Sequence, residues 1–311
     1  MAWTTVGYTL VVILWGAYVR MAGAGNGCGP NWPLCDGQFL PSHPQLKMLI
    51  EFLHRASSGL DGVLVLALAA GAFWLYPRHH RVRWAATAAA IFMIAEALLG
   101  AALVLFGWVG NNLSGARIAA DALHLCNTLL LLGSVALTAA FASGLGGTQG
   151  LRDLRERRLL GAGLIAVMLT AALGAMTAVA DTVLPSPSLA AGWRADFSST
   201  SMWLQRVRVL HPVAAIATGI FLLWLLVEGL KPTAATPAHR LGWALAATVL
   251  LQWGLGGLDV ILLAPVSLQV LHLFTADLLW VLLVLWSAAR LSSAPSGRVA
   301  MPAPDRIGVR A

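Results

Sequence analysis

The chain has 311 residues, of which 59% are hydrophobic and only 11% are charged, and its formal net charge is +7. Soluble domains contain about 25% charged residues, so this composition excludes a soluble globular protein and predicts an integral membrane protein. The positive charge does not indicate a nucleic-acid partner, because most of it lies in alternate connections between apolar segments.

Eight apolar segments are long enough to cross a lipid bilayer, which takes about 20 helical residues. They cover residues 3–19, 47–75, 84–108, 118–143, 159–180, 206–230, 241–263 and 267–289. We therefore predict an all-α integral membrane protein with eight transmembrane helices. Most of the basic residues follow the second, fourth and sixth segments or lie in the C-terminal tail. By the positive-inside rule, these parts and both termini face the cytoplasm of a cell membrane.

The first outer connection is rich in glycine and proline and contains Cys28 and Cys35. Because this connection faces the oxidising side of the membrane, the two cysteines favour a disulfide. Two independent thiols are the alternative. A metal site is less favoured, because two thiolates and a distant His43 fall short of four ligands. The second long outer connection, residues 181–205, contains proline and tryptophan but indicates no ligand.

An internal repeat relates the two halves of the chain. The matching pairs are Gly16 with Gly174, Glu96 with Gln252, His54 with His211 and His124 with His272. Because each half contains an even number of spans, the two halves have the same orientation in the membrane. We predict two pseudo-symmetric four-helix bundles, at residues 1–145 and 146–291, followed by a disordered tail at 292–311.

Four histidines lie inside apolar segments at these repeat-related positions. Each is five to seven residues from the outer end of its predicted segment, and a rise of 1.5 Å per residue places all four roughly 8–11 Å deep. A single intramembrane histidine is often a packing residue, but four at one depth indicate a shared function. Each half contains two of these histidines, His54 and His124 in the first and His211 and His272 in the second. Two imidazoles on facing helices suit the axial positions of a haem iron.

The two halves differ one helical turn before the histidine. Glu51 precedes His54 by three residues, whereas Arg208 occupies the same place before His211. A carboxylate beside one haem handles protons or stabilises positive charge, while a cation beside the other indicates plain electron transfer. Some arginines near the outer interface are candidate contacts for haem propionates, with snorkelling to the interface as the alternative. They are Arg55, Arg117, Arg206 and Arg208.

Three features together resemble the haem A synthase family. They are the stretch Glu51-Phe52-Leu53-His54-Arg55, the paired loop cysteines around Trp32-Pro33-Leu34, and the four repeat-related histidines. The resemblance covers nearly the whole chain. It implies oxidation of the C8 methyl group of haem O to the formyl group of haem A, which supplies terminal oxidases.

The resemblance also implies roles for particular residues. Glu51 is expected to be the catalytic carboxylate, His54 and His124 to face substrate haem O, and His211 and His272 to be the axial ligands of a resident haem b. The implied partners are a haem O synthase and an electron donor such as a quinol, together with the bilayer itself.

Two other functions compete with this one. A diheme membrane electron-transfer cytochrome would need haems at two depths to move electrons across the bilayer, whereas these ligands share one level. A haem carrier or chaperone needs binding but no carboxylate, so Glu51 argues against it.

Overall fold

The computed structural model describes residues 1–145, 154–229 and 236–292. Within these residues the chain forms ten helices and no β-strand. The helices are α1 (Ala2–Met21), α2 (Leu46–Leu75), α3 (Arg81–Leu105), α4 (Gly115–Ala142), α5 (Leu154–Val183), α6 (Leu189–Phe197), α7 (Trp203–Val207), α8 (Leu210–Gly229), α9 (Pro237–Ile261) and α10 (Val266–Ser292).

With α7 and α8 counted together, eight helical segments in the described part of the chain are long and apolar enough to cross a membrane. The chain is therefore an all-α, multi-pass membrane protein, and this prediction is confirmed. The predicted disordered tail at 292–311 lies, beyond Ser292, outside the described residues.

Capping residues explain why three helices begin before the apolar pattern does. The side chains of His80, Ser114 and Thr236 accept hydrogen bonds from backbone N–H groups in the first turns of α3, α4 and α9. These caps satisfy N–H groups that have no partner within the helix. Polar residues that the hydrophobic pattern leaves out are therefore helical.

The predicted span 206–230 is not one continuous helix. It consists of α7 and α8, which are separated by Arg208 and Val209. Pro212 explains the break, because it has no N–H to bond the carbonyl of Arg208. The break therefore lies at Arg208 and Val209, and His211 is the second residue of α8.

The second long connection contains α6, a helix that the sequence pattern does not predict. The hydroxyl of Ser188 caps it by accepting a hydrogen bond from the N–H of Ala191. Trp193 and Phe197 are exposed on one side, and Gly192 is buried on the other. This nine-residue helix is therefore amphipathic, but it is too short to register as an apolar span.

The same kinds of helix pairs pack in both halves. In the first half α1 packs on α2, α2 on α3 and α3 on α4, and in the second α5 packs on α8, α8 on α9 and α9 on α10. The halves meet through α4, which contacts α5 and α10, and through α1, which contacts α10. There Trp280 donates a hydrogen bond to the carbonyl of Leu129 and its indole lies over Gly133.

Three long connections, 22–45, 106–114 and 184–202, lie at one end of the helix bundle. We call this end the long-loop end.

Candidate functional site

Two of the predicted histidines lie edge-on against a glycine of a neighbouring helix. A Cβ atom at Gly16 of α1 would lie 2.8 Å from Cε1 of His54 in α2. A Cβ atom at Gly174 of α5 would lie 2.9 Å from Cε1 of His211 in α8. Real Cβ atoms essentially never approach another atom this closely, so only glycine fits beside either ring as it stands.

The other two histidines also face glycines. A Cβ atom at Gly256 of α9 would lie 3.1 Å from Cε1 of His272, and one at Gly100 of α3 would lie 3.9 Å from Cε1 of His124. Each of the four imidazoles therefore sits beside a glycine that the repeat relates to one in the other half. Close packing against the helix backbone, tightest at Gly16 and Gly174, suits imidazole rings that must hold one orientation.

The histidines of the second half lie close together. The ring centroids of His211 and His272 are 6.3 Å apart and their planes are at 84°. Nδ1 of His211 lies 3.1 Å from the carbonyl oxygen of Thr170. A ring N–H donated to a backbone carbonyl fixes the tautomer and leaves Nε2 as a ligand, which is the usual arrangement of a metal-binding histidine.

A polar group stands beside His272. The side-chain amide of Gln252 lies 3.1 Å from Nε2 of His272 and donates to the carbonyl of His272, also at 3.1 Å. The hydroxyl of Thr275 donates a hydrogen bond to Oε1 of Gln252. Nδ1 of His272 is buried and has no hydrogen-bond partner among the described residues. This ring thus retains an unsatisfied nitrogen in an apolar setting.

The first half repeats this pattern with a carboxylate. Glu96 of α3 corresponds to Gln252, and its Oε1 lies 3.5 Å from Nδ1 of His124. Glu96 also accepts hydrogen bonds from Asn127 and from the hydroxyl of Thr128. Each half therefore has one polar residue beside the histidine of its fourth span. Gln252 bonds the ring of His272, whereas Glu96 only approaches that of His124, whose Nδ1 has no hydrogen-bond partner among the described residues.

His54 and His124 are close enough to interact electrostatically. Nδ1 of His54 is buried without a hydrogen-bond partner in the described part of the chain. Among the described residues, His54, His124 and His272 each keep a buried Nδ1 without a hydrogen-bond partner, whereas Nδ1 of His211 is bonded to Thr170. Two histidines in each half, each beside a glycine, fit axial ligation of two haem groups.

Glu51 is buried, with 4% of its surface exposed, and both of its carboxylate oxygens are engaged. Oε2 accepts a hydrogen bond of 2.9 Å from the backbone N–H of Cys28. Oε1 accepts bonds of 3.2 and 2.6 Å from the guanidinium of Arg55. The carboxylate thus holds the cysteine-containing loop as well as standing one turn from His54.

Arg55 holds the same loop at two further points. Its Nη1 donates to the carbonyl oxygens of Asn31 and Leu34 at 2.6 and 2.7 Å. Both carbonyls belong to the loop that the disulfide of Cys28 and Cys35 closes. The predicted disulfide is present, and Arg55 and Glu51 join it to α2.

Arg117 is likewise used to hold a connection. It is buried, donates to the carbonyls of Gly110 and Asn112, and pairs with Asp121 at 3.3 Å. The carbonyls belong to the connection before α4. The side chain of Arg117 therefore stabilises a connection at the long-loop end.

Arg208 anchors the second long connection. Its guanidinium bonds Asp181 at 3.0 Å and Asp196 of α6 at 2.7 Å, and reaches Ser186 at 3.4 Å. Arg206 differs, because its side chain is exposed. Glu51 and Arg208, which occupy equivalent positions, each tie a long connection to the helix below it, with opposite charge.

The sequence does not single out Arg20, although it belongs to this region. Its Nη1 donates to the carbonyl of Ala178 at 2.6 Å and to the hydroxyl of Thr182 at 2.9 Å. It thereby links α1 of the first half to α5 of the second. The available signal was its position four residues after Gly16, on the same side of α1.

Comparisons with known proteins agree over most of the chain. Residues 1–284 match the family described as cytochrome oxidase assembly protein, COX15-CtaA. A protein of Thermus thermophilus named protoheme IX farnesyltransferase is 41% identical over 293 residues, which are 93% of this chain and 48% of that protein. A heme A synthase of Bacillus cereus is 30% identical over 271 residues, covering 85% of this chain and 83% of that enzyme. The chain thus spans about half the length of the Thermus relative.

Proposed function

This chain belongs to the cytochrome oxidase assembly protein family, and from that premise we propose that it is a haem A synthase. The reaction would oxidise the C8 methyl group of haem O to the formyl group of haem A. The observation that carries the proposal is the presence of two repeat-related histidine pairs with a buried carboxylate, Glu51, beside only one of them.

The relatives support this function over farnesyl transfer. The segment that this chain shares with the longer Thermus protein corresponds by itself to most of a Bacillus heme A synthase. The farnesyltransferase activity in the name of the Thermus protein would then belong to the half that this chain does not match. A chain that joins the two suggests that haem O passes from a haem O synthase to this protein.

We assign the resident haem to the second half, residues 146–291. His211 and His272 would be its axial ligands, with Thr170 and Gln252 orienting the two rings. A haem b in this place would supply one-electron transfer. Arg208, in the position that Glu51 occupies in the first half, gives this site no carboxylate one turn before its histidine.

We assign the substrate to the first half, residues 1–145. His54 and His124 would orient haem O, and the glycines beside their rings keep the imidazole planes fixed. Conversion of a methyl to a formyl group replaces two hydrogen atoms by one oxygen atom. It is a four-electron oxidation that needs an oxidant such as dioxygen, with the overall balance R–CH3 + O2 → R–CHO + H2O, and protons must be transferred within the site. Glu51 is the group we expect to accept a proton or to stabilise positive charge.

Arg55 allows Glu51 to change charge without opening the site. Its Nη1 holds the carbonyls of Asn31 and Leu34 independently of the carboxylate. The loop closed by the Cys28–Cys35 disulfide therefore stays in place over α2 when Glu51 takes up a proton.

The placement in the cell follows from the distribution of charge. We propose that both termini are cytoplasmic and that the long-loop end, with the haem sites below it, faces the outside of the cell membrane. An electron donor of the quinol type would reach the protein from the bilayer.

Co-expression with a haem O synthase tests the proposal. Haems extracted from cells that also contain this chain should include haem A, and cells with the haem O synthase alone should contain haem O. A haem carrier would bind haem O without converting it, and a diheme cytochrome would leave it in the membrane. Haem O without haem A, in cells where the chain is inserted and holds haem b, would rule out the proposed reaction.

A further inference from the structure

Arg20 connects the two halves of the protein at equivalent positions. The offset that relates Gly16 to Gly174 also relates Arg20 to Ala178. Arg20 therefore donates its hydrogen bond of 2.6 Å to the backbone of its own counterpart in the other half. A residue that contacts its repeat-related partner lies where the two halves meet around their shared axis.

This position is one helical turn beyond two of the histidine rings. Arg20 follows Gly16 by four residues, so both lie on the same side of α1. Ala178 follows Gly174 by four residues on α5 in the same way. Gly16 contacts the ring of His54 and Gly174 contacts that of His211. Ala178 lies about 6 Å closer to the long-loop end than Gly174, and the guanidinium of Arg20 bonds Ala178 and Thr182 at that level.

The guanidinium of Arg20 has N–H donors that bond none of the described residues. Both hydrogen bonds of Arg20 to described residues are made by Nη1, so Nε and Nη2 have no partner within the described part of the chain. The acidic groups near it are Asp121 and Asp181. Each is already paired with another arginine, Asp121 with Arg117 and Asp181 with Arg208.

We propose that Arg20 binds a propionate carboxylate of the haem held by His211 and His272, and that its charge raises the reduction potential of that haem. An arginine with two adjacent free N–H donors matches a carboxylate in geometry and charge. A positive charge beside a haem favours the reduced, less positive iron. The inference rests on the proposed function, because it needs the resident haem, and it gives Arg20 a role that Arg55, Arg117 and Arg208 are less free to fill.

Redox titration of the purified full-length protein tests this role. Arg20→Gln should retain haem b but lower its potential by an amount that corresponds to at least a tenfold shift toward the oxidised form, about 59 mV for one electron. Arg20→Lys keeps the charge and should stay closer to the wild type. Arg194→Gln is the matched control, because this exposed arginine of α6 is screened by solvent.

A second variant separates charge from the structural link. Thr182 accepts a hydrogen bond from Arg20, so Thr182→Asp keeps the link to α5 and places a negative charge that offsets the positive charge of the guanidinium. It should lower the potential in the same direction, and it decides the matter if Arg20→Gln does not accumulate. Unchanged potentials in variants that hold haem b would overturn the inference. A wild-type protein without haem b would instead contradict the proposed function.

Discussion

Gly174 and His211 are packed so closely that a methyl group on the glycine would overlap the imidazole, because the Cβ position lies 2.9 Å from Cε1. Gly16 and His54 stand in the same relationship at 2.8 Å. Because the two glycines correspond in the repeat, the contact is a property of both halves. Glycine inside a helix costs about 1 kcal/mol relative to alanine, and here the ring needs the space.

Gly174→Ala should therefore displace the ring of His211 and remove most of the low-spin haem b absorbance of the purified protein. Gly161→Ala is a matched control on the same helix, because a Cβ atom there meets nothing within 4 Å. The control should keep its haem and gain up to about 1 kcal/mol of helix stability. Equal haem content in the two variants would show that the glycine does not position the ligand.

The assignment of ligands to halves predicts an unequal response to histidine replacement. His211→Ala and His272→Ala each remove an axial ligand and should abolish the low-spin haem b spectrum. His54→Ala should leave that spectrum unchanged and stop conversion of haem O. Visible spectra and extracted haems from the same preparations measure both effects, and a b-type spectrum that survives in both second-half variants would reverse the assignment.

The disulfide should matter to the site more than to the fold. Replacing Cys28 and Cys35 by serine removes a crosslink that, by its effect on chain entropy, stabilises the folded loop by about 2 kcal/mol. Glu51 and Arg55 continue to hold the loop through their hydrogen bonds. We expect lower haem A yield with normal insertion of the helices. Mass spectrometry after alkylation checks the starting point, since labelling of both thiols in the unreduced wild type would mean that no bridge forms in the cell.

Much of this architecture could be predicted from periodicity and composition. The eight membrane spans follow from the length of the apolar segments. The match of Gly16 with Gly174 indicates the repeat, but it does not show that both glycines contact a histidine ring. Helix ends were less predictable, because caps such as Ser114 and Thr236 extend a helix into polar sequence. The break between α7 and α8 depends on Pro212, which lacks a backbone N–H. The hydrophobic pattern does not show this break, because the apolar residues continue through it.

The partners of the arginines could not be predicted. An arginine near the interface has the same sequence signature whether it binds a haem propionate, a loop carbonyl or the lipid headgroups. The structure pairs Arg208 with Asp196, which lies on α6, a helix too short to carry an apolar span. Only the three-dimensional course of the long connections brings these groups together.

Two roles of Glu51, as a chemical group and as an anchor for the loop, make opposite predictions for Arg55→Ala. This variant removes the bonds to Asn31 and Leu34 but leaves the carboxylate and its bond to Cys28. Loss of one partner from a buried ion pair costs about 3 kcal/mol, so the loop should loosen. If Glu51 acts in the chemistry, Arg55→Ala should keep more haem A formation than Glu51→Gln. If Glu51 only anchors the loop, Arg55→Ala should be at least as damaging.

The most direct measurement is chromatography of the haems extracted from cells that express a haem O synthase together with Glu51→Gln. Glutamine preserves the shape of the side chain and an acceptor for the N–H of Cys28, but it cannot take up a proton at neutral pH. We predict that haem O, or a partly oxidised alcohol, accumulates in place of haem A while the haem b spectrum stays at the wild-type level. A wild-type yield of haem A from this variant would contradict the account, because the first half would then carry out the oxidation without its carboxylate.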